Sequence, residues 1–179
     1  MIRNKSLQRH LPYPVQSVYD LIMDVSSYPV IFPMVTKAEL LPPRGNSPDK
    51  HVKLTFNLPP LIRLANPTHI ARITGRPHHR IEAAKVQSPL KHLEMAWDLK
   101  PSATGGTNMT FRMDYDSGLG FLADAFLNAN MDSLLAQAMT RFESHAAKML
   151  KSTVTPAAAN QNQSPASGQV PQKKTGPQP

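Results

Sequence analysis

Apolar and polar residues alternate most cleanly in three stretches of the chain. Val52, Leu54, Phe56 and Leu58 alternate with Lys53, Thr55 and Asn57. Leu93, Met95, Trp97 and Leu99 repeat the pattern, and Met109, Phe111, Met113 and Tyr115 alternate with Thr110, Arg112 and Asp114. A period of two puts each apolar set on one buried face of a strand and leaves the other face wet, as in antiparallel sheet. Glu94 and Asp98 fall on the face opposite Trp97 and are expected to point outward.

Elsewhere the period changes. Val15, Val18, Tyr19 and Ile22 recur at helical spacing, so a short helix is expected over 14–24. Pro14 suits its start, where the missing N–H would be unpaired anyway. Ser26-Ser27-Tyr28-Pro29 reads as a break, with a second short helix or turn over 30–34. Gly118 and Gly120 mark the turn into a long helix ending near Leu150. Its apolar stripe is read as Leu122, Phe126, Ala129, Leu135, Met139, Phe142, Ala146 and Met149. Further strands are expected over 2–11 and 37–41. A hairpin is expected from 68–75 and 81–88, and the pattern does not assign its faces. Consecutive strands with helices on one face make an α+β domain with about seven antiparallel strands.

Composition divides the chain. After Leu150 there is no aromatic residue, no Leu or Ile and no acid. Such a segment buries too little apolar surface to offset its ordering entropy, so 1–150 is expected to fold and 151–179 to form a disordered tail. The formal net charge is +8, and three of the lysines (Lys151, Lys173 and Lys174) lie in that tail. The excess favours either anionic partners or simple solubility. The charges are scattered, so no dedicated DNA contact is signalled. There is no cysteine, which excludes disulfides and thiol chemistry. The first residues lack the apolar run of a signal peptide, and no stretch nears the roughly 18 apolar residues of a membrane span. The expected location is cytoplasmic, with contact at the surface of the inner membrane left open.

No catalytic motif is present: no phosphate-binding loop, nucleophile elbow or zinc-protease signature. His78 and His79 are adjacent in an expected hairpin turn, a poor arrangement for joint metal ligation. No catalytic or metal residue is therefore assigned. The informative feature is apolar. Phe56, Met95, Trp97, Met109, Phe111, Met113 and Tyr115 share inward faces, and Met139 and Phe142 share a face of the long helix. They form either an ordinary core or the wall of a ligand cavity, in which methionines can repack around an occupant. Between prolines, Leu61, Ile62, Arg63 and Leu64 are expected to make a portal or membrane contact, with Arg63 reaching a lipid phosphate.

Several segments match a family. Leu11-Pro-Tyr-Pro, the run from Val18 through Asp24 to Pro29, and Phe32-Pro33 resemble the opening of coenzyme Q-binding START-like proteins, of the polyketide cyclase/dehydrase branch. Ser88 to Pro101, around Trp97, resembles that family's tryptophan strand. Gly106 to Tyr115 resembles its last strand, and Met139 to Ala146 its closing helix. His145 stands where that family commonly has arginine. The resemblance implies a helix-grip fold, in which a long C-terminal helix closes over a curved sheet. It also implies an isoprenoid quinone such as ubiquinone as ligand, bound in support of respiration. Some bacterial members are described as ribosome-association toxins.

Three functions follow from these readings. The first is a non-enzymatic carrier of a hydrophobic molecule. The second is a cyclase or dehydratase using the same cavity, which would need inward polar groups. The third is a ribosome-associated regulator using the basic surface. The clean inward faces are almost wholly apolar, which favours the carrier.

Overall fold

Strand β1 (Arg3–Leu11) runs along one edge of a sheet and hands the chain to α1 (Val15–Met23), a 3-10 turn (Val25–Ser27) and α2 (Tyr28–Ile31). Six strands follow: β2 (Val35–Leu40), β3 (Lys50–Phe56), β4 (Thr68–Arg76), β5 (Arg80–Gln87), β6 (His92–Pro101) and β7 (Thr107–Asp116). Helix α3 (Phe121–Met149) closes the chain. This computed structural model describes residues 1–43, 45–57 and 67–150. Leu58, the candidate portal residues Leu61, Ile62, Arg63 and Leu64, and the expected tail lie outside the described residues.

All seven strands form one antiparallel sheet in the order β1-β7-β6-β5-β4-β3-β2. Each hairpin pairs with the next, and only β1 is displaced, lying beside β7. The sheet's inner face and α3 share one core. Leu11, Val52, Ile73, Ile81, Leu99 and Met109 from the strands pack with Met139, Phe142 and Ala146 from the helix. This is the expected helix-grip arrangement. Ion pairs from β1 to α3, Lys5–Asp132 at 2.6 Å and Arg9–Glu143 at 3.4 Å, tie the helix to the sheet edge.

The outer face is charged. Asp98 receives Arg112 at 2.8 Å, and Arg80 reaches Glu82 at 2.7 Å. Asp98 and Glu94 therefore point outward, as the alternation predicts. Such exposed pairs each contribute about 0–1 kcal/mol, so the apolar inner face carries the stability.

Two local expectations are corrected. The second helix begins at Tyr28, not at 30, because Asp24 accepts the Ser26 N–H at 3.0 Å and starts a turn through the presumed break. Pro29 then occupies the first turn of α2, where proline is tolerated. In the first half of α3 the buried stripe is Ala123 and Leu127, one residue later than expected, and Leu122 and Ala129 are exposed, as is Met149 at the helix's last position. Both stripes are apolar in sequence, so periodicity alone does not choose between them.

The hairpin faces are now assigned. His69, Ala71 and Ile73 of β4 and Ile81 and Ala83 of β5 are buried on the inner side. Gly75 lets α1 lie close to β4, since a Cβ there would sit 2.0 Å from the Tyr19 hydroxyl.

Candidate functional site

Between the sheet and α3 lies a cavity of about 180 Å³. Strands β3 to β7 supply its floor through Val52, Leu54, Phe56, Ala71, Ile73, Ala83, Met95, Trp97, Met113 and Tyr115. The roof is Leu127, Met131, Leu135 and Ala138 of α3, and Tyr28 and Phe32 close one side. Among the described residues only apolar atoms face the space.

The hydroxyls of the two wall tyrosines are turned to other partners. The Tyr28 hydroxyl donates to the Ile22 carbonyl at 3.0 Å, and burial raises its pKa above the ordinary phenol range. The Tyr115 hydroxyl donates to Asn128 Oδ1 at 3.2 Å. Satisfied hydroxyls of this kind orient the rings without presenting a proton to the cavity.

Of the residues singled out in the sequence, Phe56, Met95, Trp97, Met113 and Tyr115 line this cavity. Met109, Phe111, Met139 and Phe142 do not. They line a second space of about 40 Å³, which Trp97, Tyr28, Phe32, Leu135 and Ala138 also border. Trp97 is 7% exposed, paired across the ladder with Phe111, with ring centroids 5.2 Å apart. It thus stands between the two spaces.

The sequence reading missed the roof residues Leu127 and Met131 because it placed the stripe of α3 one residue early. It does not name as wall residues Tyr28, which falls in the presumed break over 26–29, or Phe32, because a short helix or turn over 30–34 does not tell which of its side chains reach the sheet. Their i, i+4 spacing was an available signal, and their rings meet edge-on at 5.3 Å.

One cluster holds the residue types of a catalytic triad but not their order. Asp24, Ser27 and His145 form a chain in which the Ser27 hydroxyl lies 2.7 Å from Asp24 Oδ2 and 3.0 Å from His145 Nε2. Serine is in the middle, so no histidine is oriented by an acid to take its proton, and none of the three lines the cavity. Asp24 is held below the usual carboxylate range, first by the Ser26 hydroxyl and then by that of Ser27. Among the described residues no group of histidines and acids is placed to hold a metal. No described helix is long and apolar enough to cross a membrane.

The family model described as "Polyketide cyclase / dehydrase and lipid transport" matches residues 11–143. The chain is 23% identical over 141 residues to the ribosome association toxin RatA of Rickettsia prowazekii, covering 79% of this chain and 94% of that protein. It is 22% identical over 153 residues to the mitochondrial coenzyme Q-binding protein homolog B of Xenopus laevis, spanning 83% of this chain but only 60% of that protein. The crystal structure of the Zhui aromatase/cyclase, from a Streptomyces species, superposes with a TM-score of 0.66 at 16% identity. That match covers 83% of this chain and 95% of the other, and it shows the shared fold.

Proposed function

The chain belongs to the polyketide cyclase/dehydrase and lipid transport family, and on that premise we propose that it binds a hydrophobic small molecule without transforming it. The wholly apolar lining of the cavity carries this reading. An empty apolar cavity of about 180 Å³ costs roughly 4 kcal/mol at ~24 cal/mol per Å³. Water filling it would find no hydrogen-bond partners, whereas an apolar occupant restores the lost contacts. General acid–base catalysis needs a titratable group at the reacting atom, and among the described residues none turns one to this space.

The finer assignment is an isoprenoid quinone, ubiquinone or a close relative, held in support of respiration by a cytoplasmic protein that touches the inner membrane. The coenzyme Q-binding relative supports it, as does the size of the cavity, which suits a substituted ring or a short prenyl unit. Mass spectrometry of lipids extracted from the purified full-length chain tests it. An isoprenoid quinone near one equivalent is the expected result. A different lipid at that level would overturn the quinone assignment. No bound lipid, together with no uptake of added lipid, would overturn the carrier reading.

A second reading has its own support. The ribosome association toxin matches over nearly its whole length, and this chain carries a net charge of +8. In that reading the same fold acts at the ribosome, and the protein would sediment with ribosomal subunits at low salt and leave them as salt screens the contact.

A further inference from the structure

On β3 and β4 the inner-face residues form two facing rows. Val52, Leu54 and Phe56 stand on β3, and Ile73, Ala71 and His69 on β4, with Val52 opposite Ala71 and Leu54 opposite His69. Five of these six line the cavity. The sixth, His69, continues the row one position beyond Ala71, and its ring lies beside Phe56 with centroids 6.2 Å apart.

His69 is 1% exposed, and its Nδ1 has no hydrogen-bond partner among the described residues. A buried ring nitrogen left unpaired loses its hydration with nothing in exchange. A phenylalanine would fill the same place without that cost. His51 Nδ1 is unpaired as well, but His51 alternates with Val52 and so sits on the opposite face, away from the cavity.

We propose that His69 is the polar end of the cavity, where its imidazole hydrogen-bonds the uncharged, oxygen-bearing head of an otherwise apolar ligand. The proposal rests on the reading that the cavity holds such a ligand, and it adds the head-group chemistry. The Phe56 ring, half-buried between the cavity and His69, turns aside to admit the head.

The charge state of the ring selects the head. Burial, reinforced by the Lys85 cation, pushes His69 down to about 4, so it is neutral near pH 7. A neutral imidazole offers one N–H and one lone pair, which suit a hydroxyl or a carbonyl. A carboxylate would enter an apolar space in which no cation among the described residues stands to neutralise it. Lys85 does not serve, because its ammonium donates to the backbone carbonyls of Leu90 and Lys91.

Three probes on one carbon skeleton test this: p-cymene without oxygen, thymol with a hydroxyl, and cumate with a carboxylate. Affinities are measured by calorimetry for the full-length chain, for His69→Phe and for His69→Gln. The thymol-to-p-cymene affinity ratio should fall about ten-fold in His69→Phe and be largely kept in His69→Gln, with cumate weakest throughout. Thymol should also shift the Nδ1 resonance of His69 in nitrogen-detected spectra, and p-cymene should not. His69→Phe should melt no lower than the parent, since it removes an unpaired buried atom. An equal thymol-to-p-cymene ratio in parent and His69→Phe, or an Nδ1 signal indifferent to thymol, would overturn the head-group assignment and leave the cavity reading standing. Failure of p-cymene to bind the parent at all would overturn both.

Discussion

The Ser27 hydroxyl and His145 Nε2 lie 3.0 Å apart across 118 residues of sequence, joining the turn before α2 to the last third of α3. Ser27 is buried, and its hydroxyl also reaches Asp24. The arginine common at this position in the resembling family is here a histidine that holds the closing helix against α2. Ser27→Ala should cost about 1–2 kcal/mol of stability, since it removes both contacts. A double-mutant cycle of Ser27→Ala with His145→Ala should give a coupling of about 0.5–1.5 kcal/mol in chemical denaturation. Strict additivity would show that the contact does not hold the helix.

Stability should depend on pH through His69. Its folded value of about 4 lies below the ordinary 6.5, so the unfolded chain binds the extra proton between those values. Stability is then full above about 6.5 and is lost as pH falls toward about 4, by at most about 3 kcal/mol. Asp24, lowered from the carboxylate range, adds its loss only at more acid pH. Denaturation midpoints of the parent and His69→Phe between pH 7 and 4.5 should diverge, with the flatter profile in the variant. Parallel profiles would show that His69 is not held neutral by the fold.

Much of this was legible in the sequence where one strand face is wet. Strands β6 and β7 read correctly because Glu94, Asp98, Arg112 and Asp114 interrupt the apolar series at every second place. Strand β4 is legible as a strand but not in its faces, because it carries the polar His69 on its inner side and the apolar Ile70 on the other. Surfaces keep many apolar residues, so burial cannot be inferred from polarity alone at such sites. The stripe at the start of α3 differs for a related reason: Leu122, read as core, is 64% exposed, and its neighbour Phe121 is 84% exposed. The cavity itself was only half legible. Alternation named its floor, but which inward residues share a space depends on how α2 and α3 close over the sheet, a long-range property with no local signature.

Gly106 joins the end of β1 to the turn between β6 and β7. Its φ is +80°, and a Cβ there would lie 2.2 Å from the Leu11 carbonyl oxygen, a backbone atom that cannot swing away. Gly106→Ala should therefore destabilise the chain by about 2–4 kcal/mol, measured by thermal or urea unfolding. A loss below about 0.5 kcal/mol would mean that the turn relaxes freely.

The segment 59–65 carries the membrane proposal on its sequence. Leu61, Ile62 and Leu64 lie between prolines, with Arg63 among them. Flotation with vesicles containing anionic lipid should recover the parent chain. The folded Leu61→Asp, Leu64→Asp double variant should stay at the bottom of the gradient, because each carboxylate opposes insertion into the interface. Equal flotation of the two would remove this segment as the contact.

Trp97 is the chain's only tryptophan and borders the cavity, so its fluorescence reports an occupant without competing signals. The most direct measurement is titration of the full-length chain with a short-chain ubiquinone analogue, in parallel with Ala138→Phe, which fills space on the cavity's roof. Burying roughly 200 Å² of apolar ligand surface is worth about 5 kcal/mol before entropy losses, enough for saturation at accessible concentrations. Saturable quenching near one equivalent in the parent, abolished in a folded Ala138→Phe variant, is the predicted result. Quenching that rises linearly without saturation, or that is identical in the two proteins, would contradict a ligand held between Trp97 and α3.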